Sequence, residues 1–455
     1  MSSTTIYRTQ GTPTNAKKFT FSTWVKRCGL LAAAQRFYQC KQDDNNRLYI
    51  KFNADTTIWI YGETASSATM NWTSTKKFRD PSAWYHIVLK GDSTQAAEAD
   101  RFRVYINGIE ETAWTKTATI GQDVDFGNCL ASETDGIIIS GNEDDNERFD
   151  GEMSHVQFVD GSALAPTEFG EFDSTSGIWK IKTSCYATPG ANGFCLKMED
   201  RTNLDLDSSS NAHTFTTGGN LTATYDNPSN NFATMNPLNV PVTPKPVFTS
   251  GNNTVVTQSA SGKYFGGTSS LGMVGGKWYC EFKAYSLATD GMVGINGTSG
   301  AQARNNGQVS YSTSGFGYVA SDGKKSTNLT DTAYGNSWTT ANVIGVAVDL
   351  DNLKIYFAKD NVWQDSGDPT SGATGTGAAF TILAPSLTPE GFYAFSCADK
   401  STGSSTLIVN FGNGYFGTTA VTSAEADGAG IGAFEFAPPT GYYALCTKNI
   451  KAYGG

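Results

Sequence analysis

Hydrophobic and polar residues alternate with a period of two through much of this chain. In "FTFSTWVKR", Phe19, Phe21, Thr23 and Val25 alternate with Thr20, Ser22, Trp24 and Lys26. "RLYIKF", "TTIWIYG" and "WYHIVLKGD" repeat the habit, and "RFRVYINGIEETAW" sets Phe102, Val104 and Ile106 on one face. Successive side chains of a strand point to opposite sides of a sheet, so each run predicts a strand. Asn107-Gly108 predicts a hairpin, because a type I′ turn wants positive φ at both positions. "DGIIISG" and "GEMSHVQFVDG" complete a first block. No amphipathic helix of ten or more residues precedes "ALAPTEFGEF", which has room for one short helical turn. Many short alternating strands predict a two-sheet antiparallel sandwich.

A second block repeats the pattern. "GKWYCEFKAY" sets Trp278, Cys280 and Phe282 against Tyr279, Glu281 and Lys283. "NVIGVAVDLDNLKIYFAKDNVW" is a pair of strands around Asp351-Asn352. Between the blocks lie Pro228, Pro237, Pro241, Pro244 and Pro246, and closely spaced prolines favour an extended, semi-rigid connector. The predicted order is an arm at 1–18, a sandwich at 19–180, and an irregular segment with the Pro-rich connector at 181–261. A second sandwich at 262–416 and a C-terminal extension at 417–455 follow. The fold class is all-β, with two antiparallel jelly-roll sandwiches.

Composition narrows the partners. At 455 residues the chain is long for one domain. A formal charge of −10 argues against nucleic acid, which needs clustered Lys and Arg. No apolar run approaches the ~20 residues needed to cross a bilayer, and no secretory leader is evident, so synthesis in the cytoplasm without membrane insertion is expected. Of the 8 cysteines none forms a Cys-x-x-Cys pair. Cys28/Cys40 and Cys185/Cys195 are close enough in sequence to pair if oxidised, but thiols are expected in a reducing compartment.

Three resemblances enter here. "FTFSTWVKR", "WYHIVLKGD", "VYINGIEE" and "RFDGEMSHVQFVDGSALAPTEF", in that order over about Phe19 to Phe172, resemble the laminin-G-like branch of the concanavalin-A-like sandwiches. "GKWYCEFK", "GYVASDGKK", "VIGVAVDLDNLKIYF" and "FYAFSCAD…LIVNFG", over about Gly262 to Phe416, resemble a SPRY domain. "SALAPTEFGEFDSTSGIWKIK", "DNPSNNFATMNPLN" and "PPTGYYALCTKNI" look like stretches of virion proteins of tailed bacteriophages, marine ones especially. That third resemblance implies a particle component displayed to the outside, and fold analogy supplies no single activity.

The densest chemistry is "NEDDNERFDGE", with six carboxylates between Glu143 and Glu152. Glu143, Asp145 and Glu147 match the Glu-x-Asp-x-Glu spacing of retaining glycosidases of concanavalin-A-like fold, whose two carboxylates stand ~5–5.5 Å apart. As a strand, that pentapeptide buries Asp144 and Asn146 where apolar residues belong, so catalysis is not expected and no catalytic residue is assigned. Asp144, Asp145, Asn146 and Asp150 could supply oxygens to calcium, as laminin-G-like modules often do at a rim loop. A solvated acidic turn remains the simpler reading, and no cofactor is required. His86, His155 and His213 lie far apart in sequence and read as structural. Trp59, Trp72, Trp84, Trp114 and Trp338 are candidates for sugar stacking. Trp72 and Trp338, in loop-like stretches, are the expected exposed pair.

The expectation is therefore a non-enzymatic phage virion protein, whether tail fibre, appendage or capsid decoration, that recognises host-surface polysaccharide. Its other partners are neighbouring virion proteins and copies of itself, a trimer being the first expectation. A purely structural role is the alternative, and a glycan depolymerase stands third.

Overall fold

A computed structural model describes residues 4–29, 33–127, 130–142, 144, 146–219, 221–240, 244–260, 263–288, 290–297, 307–400 and 403–454, with only the backbone at 133–135, 260 and 263. Glu143, Asp145, Pro241 and the boundary expected at 261–262 fall outside the described residues. The chain forms two compact units, residues 1–223 and 224–455. Among the described residues no helix is long and apolar enough to cross a membrane.

The first unit has two main sheets. Its strands are β1 (Thr5–Gln10), β2 (Lys18–Arg27), β3 (Gln35–Asp43), β4 (Asn46–Phe52), β5 (Thr57–Thr64), β6 (Ser67–Lys77), β7 (Trp84–Asp92), β8 (Phe102–Ile106), β9 (Ile109–Glu110), β10 (Trp114–Ala118), β11 (Ser132–Ile139), β12 (Gly151–Asp160), β13 (Gly170–Phe172), β14 (Trp179–Ile181), β15 (Phe194–Leu196) and β16 (Thr216–Gly218). One sheet runs β10-β6-β5-β4-β3-β11-β1-β16 and the other β15-β12-β2-β7-β8-β9, while β13 and β14 pair alone. Every ladder in this unit is antiparallel. The alternation fixes the register. Phe19, Phe21 and Val25 of β2 meet Leu48, Ile50, Ile58 and Ile60 of the facing sheet in one core. Asn107-Gly108 makes the predicted turn, with φ of 50° and 78°.

The far face of the six-stranded sheet is covered by the chain that follows β12. Trp179 of β14 joins Trp24 and Trp84 in an apolar cluster there, and Phe169 packs with Val88 and Val159. The segment read as irregular is divided between the units. β15 pairs with β12 and β16 with β1, whereas Phe232 and Met235 are buried in the second unit.

The second unit is also a pair of sheets. One holds Lys277–Ser286, Val343–Asp349, Lys354–Lys359 and Thr406–Asn410; the other holds Gly291–Asn296, Gly315–Val319 and Ala394–Asp399. Trp278, Cys280 and Phe282 face its core as the alternation predicts, and Tyr279 and Glu281 face outward. The C-terminal extension covers that outer face, where Phe434 and Tyr442 cluster with Tyr279 and Tyr356. Glu281 anchors the extension. Its carboxylate accepts from the backbone N–H of Glu435 and of Phe436, both at 2.8 Å, and from the Asn410 amide at 3.1 Å.

Candidate functional site

Four adjacent strands, β3 to β6, turn one face to the core and the other outward. Leu48, Ile50 and Phe52 of β4 point in, so Arg47, Tyr49 and Lys51 point out; Ile58 and Ile60 of β5 point in, so Trp59 and Tyr61 point out. Register places the outward residues side by side. Arg36, Lys51, Trp59 and Thr73 form one row across the strands, and Gln39, Tyr49, Tyr61 and Asn71 form the next.

Rings and cations interleave on this face. Tyr49 and Tyr61 stack at 5.3 Å, and Trp59 meets Tyr49 edge-on at 5.7 Å. Arg36 lies 4.0 Å from the Tyr49 ring centre, Lys51 lies 4.4 Å from that of Trp59, and Arg47 lies 5.9 Å from that of Tyr61. The Trp59 indole N–H donates to Asn71 Oδ1 at 2.8 Å, which fixes the ring. Trp59 and Tyr61 are half-buried.

Two carboxylates complete the face. Glu63 pairs with Arg47 at 3.1 Å from the adjacent strand. Glu147 comes from the acidic loop; it meets Arg36 Nε at 2.8 Å and also bonds Lys51. Burial pushes the Glu147 carboxyl up, but the Lys51 hydrogen bond and the charges of Arg36 and Lys51 outweigh it, holding the group below its ordinary range. Glu147 is thus an ionised partner of two cations. Among the described residues of this loop, 144 and 146–150 have no regular strand structure.

The calcium candidates are not gathered by the described residues. Asn146 accepts from the Asn142 amide at 2.9 Å, and Asp144 is exposed. Asp150 sits at the end of β2 instead: its backbone carbonyl accepts from Cys28 and Gly29, and its carboxylate packs against Gly29. Asp145 lies outside the described residues. Among the described residues no group of three or more His, Cys, Asp or Glu side chains could hold a metal.

The expected exposure of Trp72 and Trp338 is corrected. Trp72 lies on the inward row of β6 beside Met70, 4% exposed, and donates to the Ala118 carbonyl at 3.0 Å. Trp338 is 1% exposed in the second unit's core, near Tyr318. Loop-like composition describes where a backbone runs, and a large indole can still turn inward to remove its area from water. Trp84 is buried and Trp114 packs partly against the core. Of the five tryptophans, Trp59 alone belongs to the outward face. Tyr49 and Tyr61 went unassigned from sequence, although their alternation with Leu48, Ile50 and Ile60 carries the signal.

A Ser–His contact offers nucleophilic chemistry on paper and fails on tautomer. Ser22 Oγ is 2.8 Å from His86 Nε2, and both groups are buried. Trp179, a donor only, gives its indole N–H to His86 Nδ1 at 3.0 Å. Neutral His86 therefore carries its proton on Nε2 and donates it to Ser22, so it cannot take the serine proton.

The fold finds counterparts among known proteins. Residues 2–168 match the family model of the concanavalin A-like lectin/glucanases superfamily, and residues 277–408 match that of the SPRY domain. Two stretches of the chain, one after the other, thus match known domain families. Among solved structures, the SPRY domain of human HERC1 is 15% identical over 38% of this chain and 96% of its own, with a TM-score of 0.28. A heptameric SAP-like pentraxin from Limulus polyphemus is 16% identical over 37% and 73%, with a TM-score of 0.27. A carbohydrate-binding-protein candidate from Bacteroides ovatus is 14% identical over 48% and 57%, with a TM-score of 0.33. No curated protein matches the sequence. The concanavalin-A-like and SPRY expectations are borne out as fold.

Proposed function

We propose that the first domain is a non-enzymatic glycan-binding module and that its site is the outward face of β4 and β5. The observation that carries this reading is the half-buried pair Trp59 and Tyr61, ringed by Lys51, Arg47, Asn71 and Thr73. Part-exposed rings complement the C–H face of a pyranose, and the surrounding amide, hydroxyl and charged groups complement its hydroxyls. The match of residues 2–168 to the model of a superfamily named for lectins and glucanases supports it. Glu147, ionised between Arg36 and Lys51, does not suit the general-acid role, which must hold a proton near neutral pH.

The chain's setting is read from the three stretches that resemble tailed-phage virion proteins. On that reading it is displayed on the particle exterior as a fibre, appendage or decoration, and its glycan is host-surface polysaccharide. A purely structural role is the second reading, favoured by Phe172 and Ile178, 50% and 64% exposed on the β13–β14 hairpin, which suit contact with neighbouring subunits. A glycan array probed with the wild-type protein and Trp59→Ala tests the first reading. Selective binding that the variant loses supports it; an array that stays blank with folded protein leaves the structural role.

A further inference from the structure

We infer that the ligand of this face is an acidic glycan, whose carboxylate takes the place that Glu147 holds between Arg36 and Lys51. The inference rests on the glycan reading above and names the class of sugar.

The two carboxylates of the face are held in different ways. Glu63 stands directly across the ladder from Arg47, so sheet register fixes that pair. Glu147 belongs to no strand and reaches the face from a loop. Its backbone is tied down, since Arg36 N–H donates to the Glu147 carbonyl at 2.9 Å and Asn142 Oδ1 accepts from the Glu147 N–H at 3.2 Å. The side chain alone can therefore swing away by a change of rotamer while the loop stays in place.

What it would leave behind is a carboxylate site. The side chains of Arg36 and Lys51 are only 11% and 7% exposed, and Glu147 is their acidic partner here. Two cations held close together with little water repel one another and favour an anion, and a guanidinium beside an ammonium bonds a carboxylate through charge-assisted hydrogen bonds. Lys51 also stands over Trp59, so a uronate ring against Trp59 and Tyr61 has its carboxylate within reach of that ammonium. A neutral sugar offers nothing to replace Glu147, and would leave the clasp closed.

The test measures affinity of the whole chain, wild type and Glu147→Gln, for the carboxylated polymers polygalacturonate, alginate and hyaluronate. Methyl-esterified polygalacturonate and neutral glucans serve as controls. The Gln side chain keeps an acceptor but removes the competing charge. Acidic polymers are expected to bind the wild type, to bind Glu147→Gln about ten-fold more tightly, and to lose affinity in Lys51→Gln, with the esterified polymer indifferent to both changes. Binding of neutral and esterified polymers at least as tight as that of acidic ones, unchanged by Glu147→Gln, overturns the inference and leaves glycan recognition intact. Binding of no polymer by folded protein sinks the glycan reading itself. If Glu147→Gln does not fold, the acidic-against-esterified comparison in wild type and Lys51→Gln decides alone.

Discussion

Trp179 donates its indole N–H to Nδ1 of His86 at 3.0 Å, from a hairpin that lies outside the two sheets of its domain. The bond sits in a stack, with Trp24 4.7 Å from the imidazole on one side and Trp179 itself 5.8 Å away. Gly108 makes room for it: a Cβ there would fall 2.3 Å from the Trp179 ring, and φ is 78°. One turn glycine thus serves both the hairpin and the closure of the sheet's far face. Trp179→Phe keeps most of the packing and leaves Nδ1 unpaired. It should cost about 1–3 kcal/mol in urea unfolding; a loss below about 0.5 kcal/mol would show the bond to be incidental.

The same burial sets a pH dependence. Desolvation pushes the His86 pKa from 6.5 down to about 3, and the charge of His155 acts in the same direction. A depressed folded value stabilises the fold above the unfolded pKa. That contribution is complete above about pH 6.5 and declines as the pH falls towards 3. NMR should find the His86 imidazole neutral at pH 5 in folded protein. A charged ring at that pH contradicts the assignment.

Glu281 works in the opposite sense. Burial raises its carboxyl from 4.5 to about 7, against the opposing pull of the Glu435 and Phe436 amides, the Asn410 amide and the Tyr279 hydroxyl. A raised folded value favours the fold at low pH, so the contribution is full below about pH 4.5 and is lost as pH rises through 7. The C-terminal extension rests on this group. Hydrogen exchange at residues 425–436, corrected for intrinsic rates, should be slower at pH 6 than at pH 8; equal protection would remove Glu281 as the anchor.

Cys185 and Cys195 are joined as a disulfide, whereas Cys28 and Cys40 are buried thiols. The bridge ties the covering segment to β15, the edge strand of the six-stranded sheet. Closing so short a loop contributes about 2–3 kcal/mol through the unfolded state. The double Ser variant should unfold at correspondingly lower urea, and an unchanged midpoint would show the bridge to be unnecessary.

Sequence was most legible where one face of a strand meets a core. Phe19, Phe21 and Val25, or Trp278, Cys280 and Phe282, could be placed because period-two burial leaves little choice of face. It was least legible where a residue's fate depends on a distant segment. Nothing near Trp338 says that its indole turns inward. Nothing in "NERFDG" says that Glu147 will meet Arg36 and Lys51, 111 and 96 residues away. Phe232 and Met235 lie among prolines, and composition hid their burial. Tyr49 and Tyr61 are the instructive omission. Outward aromatics beside inward aliphatics were visible in "RLYIKF" and "TTIWIYG", but only the pairing of β4 with β5 shows that they form one surface.

The most direct test of the account is saturable binding of the purified protein to arrayed glycans, with calcium and with chelator, for wild type and Trp59→Ala. The account predicts binding that survives chelation and weakens at least ten-fold in the variant, about 1.4 kcal/mol. Wild-type-like binding by Trp59→Ala, or binding that chelation abolishes, would contradict it and move recognition away from the aromatic face.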